Sequence, residues 1–218
     1  MTVKLSGPML PPKSGGMPKQ LMVLLHGYGA DGSDLIGLGH QWRDLFADMM
    51  FASPNAPHRC GRNPAGYEWF PLDDDDRAAG RIAGAQAARW VIVDFLTELW
   101  AQTGLAAKDT VLCGFSQGTM MALHVGTSLD AELLGIIGFS GALIAPEGFG
   151  TERFAKPPVA LIHGALDQVV ETDLSRKAAS ELSTAGFEVT LHISPGIAHG
   201  IAPDGLDFAT EFLLARMG

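Results

Sequence analysis

The feature of this sequence that most constrains its fold is a regular alternation of short apolar runs with helical patterns. The continuously apolar runs predict buried strands at 21–25, 49–52, 110–113, 133–139 and 159–162. Parallel strands are covered on both faces and need connections that cross the sheet, so this alternation is what a parallel sheet with crossover helices requires. We therefore expect an α/β fold in which helices cover both faces of a mostly parallel central sheet.

The segments between these runs carry apolar residues three or four positions apart, which is the spacing of one helix face. They predict a long helix within 76–100, a helix over 119–127, another over 174–182 and a short last helix around 208–213. Residues 187–193 instead alternate strictly between apolar and polar side chains. Such alternation predicts a strand with one wet face, which belongs at a sheet edge.

Composition excludes several classes of function. The chain has 15 Lys and Arg against 24 Asp and Glu, a formal net charge of -9, which argues against an electrostatic nucleic-acid binder or a basic membrane-surface protein. Hydrophobic residues make up 47% and charged residues 18%, which excludes disorder as the overall state. Every apolar run is shorter than the roughly 18 to 20 residues of a membrane span.

The organisation predicted for the chain is a single domain over residues 1–218, since we find no linker, long repeat or second domain. Residues 1–17 are expected to be either poorly ordered or strand-forming. This segment lacks the continuous apolar stretch of a secretory signal, so we expect a cytoplasmic protein. Cys60 and Cys113 could form one disulfide, although Cys113 lies in an apolar run and is predicted to be a buried thiol.

The sharpest local signal is Gly-Phe-Ser-Gln-Gly at 114–118, between a predicted strand and a predicted helix. In a G-x-S-x-G turn of this kind, the serine lies on a strained elbow that projects its hydroxyl above the sheet. The N-terminal amides of the following helix, beginning with Gln117, favour an oxyanion at that position. Ser116 is therefore the candidate nucleophile, and the alternative is a glycine-rich turn with an incidental serine.

A serine nucleophile needs a histidine base that is itself held by a carboxylate. In α/β-hydrolase elbows the chain order is serine, then acid, then histidine. Asp167 follows the predicted strand 159–162, and His199 lies in a turn-rich loop after the predicted edge strand. Because the carboxyl ends of parallel strands meet at one edge of the sheet, we expect Ser116, Asp167 and His199 to form a catalytic triad.

Other histidines have simpler interpretations than catalysis. His26 and His163 each precede a glycine at the end of an apolar run, and both are predicted to order turns through hydrogen bonds. His124 lies in the helix after the candidate nucleophile and is expected to pack there. His192 lies on the polar face of the edge strand, where solvation is expected. His199 is therefore the preferred base.

The acidic run Asp73–Asp76 is predicted to be a solvated loop that places negative charge before the long helix, rather than a metal cluster. The sequence contains no zinc-type Cys/His spacing and no phosphate-binding P-loop. The glycine-rich segment 27–32 lacks the full dinucleotide fingerprint. We therefore expect neither a metal nor a cofactor.

Four segments taken together carry a family resemblance. They are 25–32 (Leu-His-Gly-Tyr-Gly-Ala-Asp-Gly), 114–118, 163–170 (His-Gly-Ala-Leu-Asp-Gln-Val-Val) and the loop 196–200. In this order they resemble the phospholipase/carboxylesterase family, which includes small bacterial carboxylesterases and acyl-protein thioesterases. The resemblance extends from about residue 18 to the C-terminus, and it implies an α/β-hydrolase fold without a large lid.

The resemblance also implies roles for individual residues. Ser116 would be the nucleophile, His199 the general base and acid, and Asp167 the group that orients the imidazole. The oxyanion hole would consist of the backbone N–H groups of Tyr28 and Gln117.

Trp69 and Phe70 occupy the family's aromatic loop before the long helix, and the resemblance implies that they wall the acyl site. The alternative for these two rings is ordinary packing of a loop. Tyr28 departs from the smaller aliphatic residue that is common in the family, which would narrow the entrance. The run 73–76 would add negative charge near the aromatic loop and disfavour anionic substrates.

We therefore expect a serine carboxylesterase that acts through an acyl-Ser116 intermediate, which is hydrolysed by water that His199 activates. Its expected partner is a small-molecule ester or thioester, with no nucleic acid and no integral membrane association. Two alternatives stay open. One is an acyl-thioesterase or lysophospholipase that acts on long-chain acyl groups, and the other is a non-catalytic binding protein of the same fold.

Overall fold

The computed structural model describes residues 4–72 and 78–217, so the acidic run 73–76 lies outside the described residues. The strands are β1 (Met9–Leu10), β2 (Gln20–Leu25), β3 (Met49–Ala52), β4 (His58–Arg59), β5 (Tyr67–Glu68), β6 (Thr110–Phe115), β7 (Gly135–Phe139), β8 (Val159–Gly164) and β9 (Val189–Ser194). The α-helices are α1 (Gly32–Trp42), α2 (Ala78–Thr103), α3 (Gln117–Gly126), α4 (Thr172–Thr184) and α5 (Pro203–Met217).

Within the described part of the chain, seven strands form one sheet in the order β1-β3-β2-β6-β7-β8-β9. The pairing of β1 with β3 is antiparallel, and every other neighbouring pair in this sheet is parallel. The mostly parallel α/β sheet is therefore confirmed. The strand β9 lies at an edge, as its alternating sequence predicts, and β1 lies in the N-terminal segment for which a strand was one of the two expected states.

The central strands are almost continuously apolar because their two faces line two separate cores. Leu21 and Leu25 of β2 pack into the core that also holds residues of α2, α3 and α4. Met22 and Leu24 pack into the core on the opposite face, with residues of α1 and α5. Successive side chains of a strand point to opposite faces, so a strand that is covered on both faces places nearly all of its side chains in a core. Thr110 of β6 and His163 of β8 are buried polar exceptions, and both are hydrogen-bonded.

The residues by which α2 faces the core are those that its sequence pattern predicts. Its predicted core positions Ile92, Phe95, Leu96 and Leu99 are all buried. The helix ends before Gly104, whose φ of +74° is the left-handed conformation that glycine adopts at helix ends. It packs against α3, which also packs against β6 and β7, and all ten residues of α3 are buried.

The helix α1 and the β4–β5 hairpin are the main elements that the sequence pattern does not predict. Three glycines lower the helix propensity of α1. The packing explains two of them, because a Cβ at Gly32 would lie 1.9 Å from the carbonyl oxygen of Ser53 and a Cβ at Gly39 would lie 3.0 Å from the ring of Phe51. The helix begins at an N-cap, Asp31, whose carboxylate accepts hydrogen bonds from the amides of Ser33 and Asp34.

Cys60 and Cys113 are both buried free thiols. Burial raises the pKa of the Cys113 thiol. None of the helices in the described ranges is long and apolar enough to span a membrane.

Candidate active site

Ser116 lies on a strained turn between β6 and α3. Its backbone has φ 54° and ψ −115°, a conformation that side-chain-bearing residues rarely adopt. A Cβ at Gly114 would lie 2.3 Å from the backbone of Gly118, and a Cβ at Gly118 would lie 1.7 Å from the carbonyl oxygen of Leu25. The two glycines of the motif are therefore required by close backbone contacts, as the elbow interpretation expects.

The side chain of Ser116 is not used to cap the helix that follows it. Ser116 is the N-cap residue of α3, yet its side chain makes no capping hydrogen bond. The helix begins at Gln117, so the first unpaired amides of α3 lie beside the serine. Their partial positive charge favours a negative charge at this position.

Asp167 and His199 form a hydrogen-bonded pair. His199 Nδ1 lies 2.7 Å from Asp167 Oδ2, and Oδ1 of the same carboxylate accepts from the amides of Val169 and Val170 at 2.9 Å each. Burial alone would raise the pKa of Asp167, but these hydrogen bonds outweigh burial, and the pKa lies below its ordinary value. The carboxylate is therefore charged at neutral pH and suited to orient an imidazole.

His163 makes a second histidine contact to the same carboxylate. Its Nε2 lies 3.1 Å from Asp167 Oδ2 and 2.8 Å from the carbonyl oxygen of Val170, while its Nδ1 lies 2.6 Å from the hydroxyl of Ser175. One ring nitrogen is thus engaged by the loop that carries Asp167 and the other by Ser175 of α4, which agrees with the turn-ordering role predicted for His163.

His199 lies next to the strand that carries the nucleophile. The ring of Phe115, the residue before Ser116, packs against the imidazole with 4.9 Å between ring centroids. The loop after β2 also passes the serine, because a Cβ at Gly27 would lie 3.4 Å from Ser116 Cβ. The structure thus brings the serine, the histidine–aspartate pair and the Gly27–Tyr28 segment to one edge of the sheet.

Tyr28 is half-buried, and its phenol faces polar partners. Burial, together with the neighbouring polar side chains of Cys60 and Glu68, raises the pKa of Tyr28. The phenol is therefore neutral at physiological pH and can donate its hydroxyl proton.

Trp69 and Phe70 lie in the hydrophobic core, where each is 1% exposed. The Trp69 indole N–H donates to the carbonyl oxygen of His26 (2.9 Å). The side-chain amide of Gln117 accepts from the backbone N–H of Trp69 (3.0 Å) and donates to the carbonyl oxygen of Phe70 (2.7 Å). The rings pack as the loop-packing alternative expects, and their contact with an acyl group stays a prediction.

Three other histidines are engaged away from the serine. His26 Nδ1 donates to the carbonyl oxygen of Gly27 (2.8 Å), its Nε2 accepts from the amide of Ala56 (3.0 Å), and burial lowers its pKa. His124 is buried in α3, and burial lowers its pKa too. His192 pairs with Asp204 at 2.7 Å on the partly exposed edge of the sheet.

Two residues of the site were not singled out by the sequence. Phe115 is the variable residue of the serine motif, and its contact with His199 has no local sequence signal. Glu68 is buried to 6% exposure. A signal for Glu68 was available, because it is an acidic residue between two aromatic ones, Tyr67 and Trp69, in a loop expected to pack.

Comparison with known proteins identifies the family of the chain. The phospholipase/carboxylesterase family matches the chain over residues 13–216. The chain belongs to this family. Family membership makes it a serine ester hydrolase with an α/β-hydrolase fold.

Individual relatives extend over most of the chain. The crystal structure of esterase PE8 superposes with a TM-score of 0.93 at 58% identity and covers 99% of this chain and 100% of that one. The esterase YpfH of Escherichia coli is 29% identical over 198 residues, which are 89% of this chain and 82% of that protein. Acyl-protein thioesterase 1 of Neurospora crassa is 29% identical over 213 residues, 90% of this chain and 86% of that protein.

Proposed function

We propose that the chain is a serine carboxylesterase in which Ser116 is the nucleophile, His199 the general base and acid, and Asp167 the group that orients the imidazole. The observation that carries the proposal is the 2.7 Å hydrogen bond between His199 and Asp167. The imidazole packs against Phe115, and the next residue, Ser116, has a strained backbone and a side chain that makes no capping hydrogen bond. A binding protein would have no physical need for this combination.

Acylation follows from these positions. His199 Nε2 takes the hydroxyl proton of Ser116 as Oγ attacks the ester carbonyl carbon. The resulting oxyanion accepts hydrogen bonds from the amides of Gln117 and Tyr28, each of which contributes about 3 to 4 kcal/mol to stabilising the transition state. Asp167 stabilises the imidazolium. The imidazolium then protonates the leaving alcohol as its C–O bond breaks, and an acyl-Ser116 ester remains.

Deacylation repeats these steps with water as the nucleophile. His199 takes a proton from water, the hydroxide adds to the acyl carbon, and the same two amides accept the second oxyanion. The histidine then returns the proton to Ser116 Oγ as the acyl bond breaks, and the carboxylic acid leaves. Both half-reactions balance with ester and water alone.

A cavity of about 280 Å³ lies beside Phe115, whose ring packs on His199. It is lined by Asp34, Leu35, Gly37, Leu38, Gln41, Phe115 and Ile201. We infer that it can receive a part of the substrate that extends beyond the reacting ester. The Asp34 carboxylate among its lining residues disfavours an anionic group there.

An acyl-thioesterase is the second candidate function, because the acyl-protein thioesterase of Neurospora crassa covers 90% of this chain. The same residues could attack a thioester, since the acyl-serine intermediate is identical. A pair of substrates with one acyl chain and either an oxygen or a sulfur leaving group separates the two functions. A series with lengthening acyl chains tests the long-chain lysophospholipase alternative.

The decisive test is Ser116→Ala, assayed with short and long p-nitrophenyl esters and with fluorophosphonate labelling followed by intact mass. We expect the wild type to turn over and to gain one label, and the variant to do neither. Ser140→Ala is the matched control, because Ser140 also has a positive φ of 48° and a buried hydroxyl without a hydrogen-bond partner. It should keep both activities. Hydrolysis at the wild-type rate by Ser116→Ala would show that the proposal is wrong.

A further inference from the structure

His163 is a buried histidine that the proposed chemistry does not use. It lies near the end of β8, four residues before Asp167, and the side chains of both residues are 0% exposed. A buried imidazole costs free energy unless its nitrogens are hydrogen-bonded, and both nitrogens of this ring are. The two bonds lead to different parts of the candidate active site.

The Nε2 atom of His163 is bonded to the loop that carries Asp167. It lies 2.8 Å from the carbonyl oxygen of Val170. A carbonyl oxygen can only accept, so Nε2 carries a proton and donates it to Val170. The same nitrogen lies 3.1 Å from Asp167 Oδ2. The partial positive charge of this N–H group therefore lies beside the carboxylate oxygen that faces His199.

Val170 connects the His163 bond to the carboxylate. The carbonyl oxygen of Val170 accepts from His163, and its amide donates to Asp167 Oδ1 at 2.9 Å. The other carboxylate oxygen, Oδ2, accepts from His199 Nδ1 at 2.7 Å. Every step of this connection is a hydrogen bond, from the ring in β8 to the imidazole of His199. A change in the position of Val170 would therefore rotate the carboxylate and reorient that imidazole.

The Nδ1 atom of His163 is bonded in the direction of the nucleophile. It lies 2.6 Å from the hydroxyl oxygen of Ser175, a residue of α4 that is 1% exposed. The same hydroxyl lies 3.1 Å from the carbonyl oxygen of Gly141. A Cβ at Gly141 would lie 3.0 Å from the carbonyl oxygen of Ser116, so Gly141 packs directly against the serine turn. The ring of His163 is thus connected both to the turn that carries the serine and to the loop that carries the acid.

We propose that His163 is a positioning residue for Asp167. Its bond to Val170 holds the carboxylate in the orientation that directs His199 toward Ser116. The inference rests on the proposed function. Proton transfer from the serine to the imidazole takes place in the transition state, so a misdirected imidazole weakens that state more than the bound substrate. Loss of the bond to Val170 should therefore lower kcat and leave KM nearly unchanged.

Two substitutions of His163 in the full chain separate its two bonds. In His163→Gln the side-chain NH₂ can take the place of Nε2 and donate to Val170, whereas the shorter side chain of His163→Asn can reach only Ser175. A misplacement of about 1 Å can cost about 100-fold in rate, so we expect His163→Asn to lose about 10- to 100-fold in kcat. His163→Gln should keep most of the wild-type rate. Ser175→Ala leaves the ring bonded at one nitrogen and should lose about three- to tenfold.

A second readout separates positioning from general loss of structure. The proton between His199 Nδ1 and Asp167 should give a low-field proton NMR signal, identified as the one that His199→Ala removes. His163→Gln should keep this signal and His163→Asn should lose it, whereas KM for p-nitrophenyl acetate should stay within about twofold in both. His192→Asn is the matched control, because His192 pairs with Asp204 on the partly exposed edge of the sheet. It should match the wild type in kcat and in the NMR signal.

Wild-type kcat in His163→Asn would overturn the inference, and so would an equal loss in His163→Gln and His163→Asn or a loss confined to KM. If His163→Asn does not fold, Ser175→Ala decides. A reduced kcat with a weakened NMR signal in that variant would support the inference, and wild-type kcat would contradict it. The Ser116→Ala result judges the proposed function independently, because it does not depend on His163.

Discussion

Replacing Asp167 by Asn should inactivate His199 by reversing one hydrogen bond. In the native side chain Oδ1 accepts from the amides of Val169 and Val170, and Oδ2 accepts from His199 and lies near His163 Nε2. Backbone amides can only donate, so the oxygen of an asparagine would remain at the Oδ1 position and its NH₂ would face His199 Nδ1. That nitrogen must then accept, and the ring proton moves to Nε2.

A neutral imidazole with its proton on Nε2 cannot take the proton of Ser116. In other serine hydrolases this tautomer reversal lowers kcat by about 10⁴-fold, and at about 1.4 kcal/mol for each factor of ten the loss is about 5 kcal/mol. We expect a loss of this size here, because the 2.7 Å bond to His199 is the same type of contact. The two bonds from Val169 and Val170 should keep the loop folded.

The assay is steady-state hydrolysis of p-nitrophenyl acetate, normalised by the burst of acylation to the amount of competent enzyme. Asp204→Asn is the matched control, because Asp204 also contacts a histidine, His192, at 2.7 Å but does so on the surface edge of the sheet. It should retain wild-type kcat. A value for Asp167→Asn within tenfold of the wild type would refute the tautomer argument, and an equal loss in Asp204→Asn would show that the effect is not specific to His199.

Two further predictions concern pH and stability. Between about pH 5 and pH 8 the carboxyl group of Asp167 should stay ionised, because hydrogen bonds hold its pKa below the ordinary value. A titration step of this carboxyl in that range, followed by the NMR signal of its carboxyl carbon, would contradict this. Gln117→Ala should lower the free energy of unfolding by about 2 to 4 kcal/mol in urea titrations, because it leaves the buried backbone groups of Trp69 and Phe70 unpaired. The exposed Gln102→Ala should change it by less than about 0.5 kcal/mol, and a Gln117→Ala loss below about 1 kcal/mol would contradict the reasoning.

The central sheet could be predicted from sequence because burial on both faces leaves a continuous apolar run. β3 has the bounds that its run predicts, and β2 differs by one residue. β6 extends beyond its predicted end at 113 to Phe115, because the strand continues through the glycine of the serine motif. The last helix, α5, is also longer than expected, since its N-terminal half has few apolar residues to mark it.

The helix α1 could not be predicted from periodicity, because two of its three glycines are required by tertiary contacts and all three lower its helix propensity. A Cβ at Gly32 would lie 1.9 Å from the carbonyl oxygen of Ser53, so the helix begins where only glycine fits against the neighbouring chain. Asp31 did carry a usable signal, since an aspartate before Gly-Ser-Asp is a good N-cap. Tertiary packing outweighed local propensity at this helix.

The candidate site also has a part that could be predicted from the sequence and a part that could not. Chain order and strand ends were enough to predict that Ser116, Asp167 and His199 lie at one edge of the sheet, because the topology of a parallel sheet decides which loops meet. Their catalytic roles stay a prediction. The support for the loop after β2 was not predictable, since it comes from two-residue strands and from backbone hydrogen bonds of Gly29 and Ala30 to Tyr67, about 40 positions away. Short strands and long-range polar contacts have almost no periodic signature.

The complete burial of α3 has a consequence for how this enzyme can diverge. Since the helix is enclosed between the sheet and α2, the packing of the core fixes the position of Ser116. Substitutions that alter the helix contacts would therefore displace Ser116. The loop that carries Asp167 is different, because Leu166 and Val169 are 60% and 72% exposed. These two positions can change without disturbing the core that places Ser116.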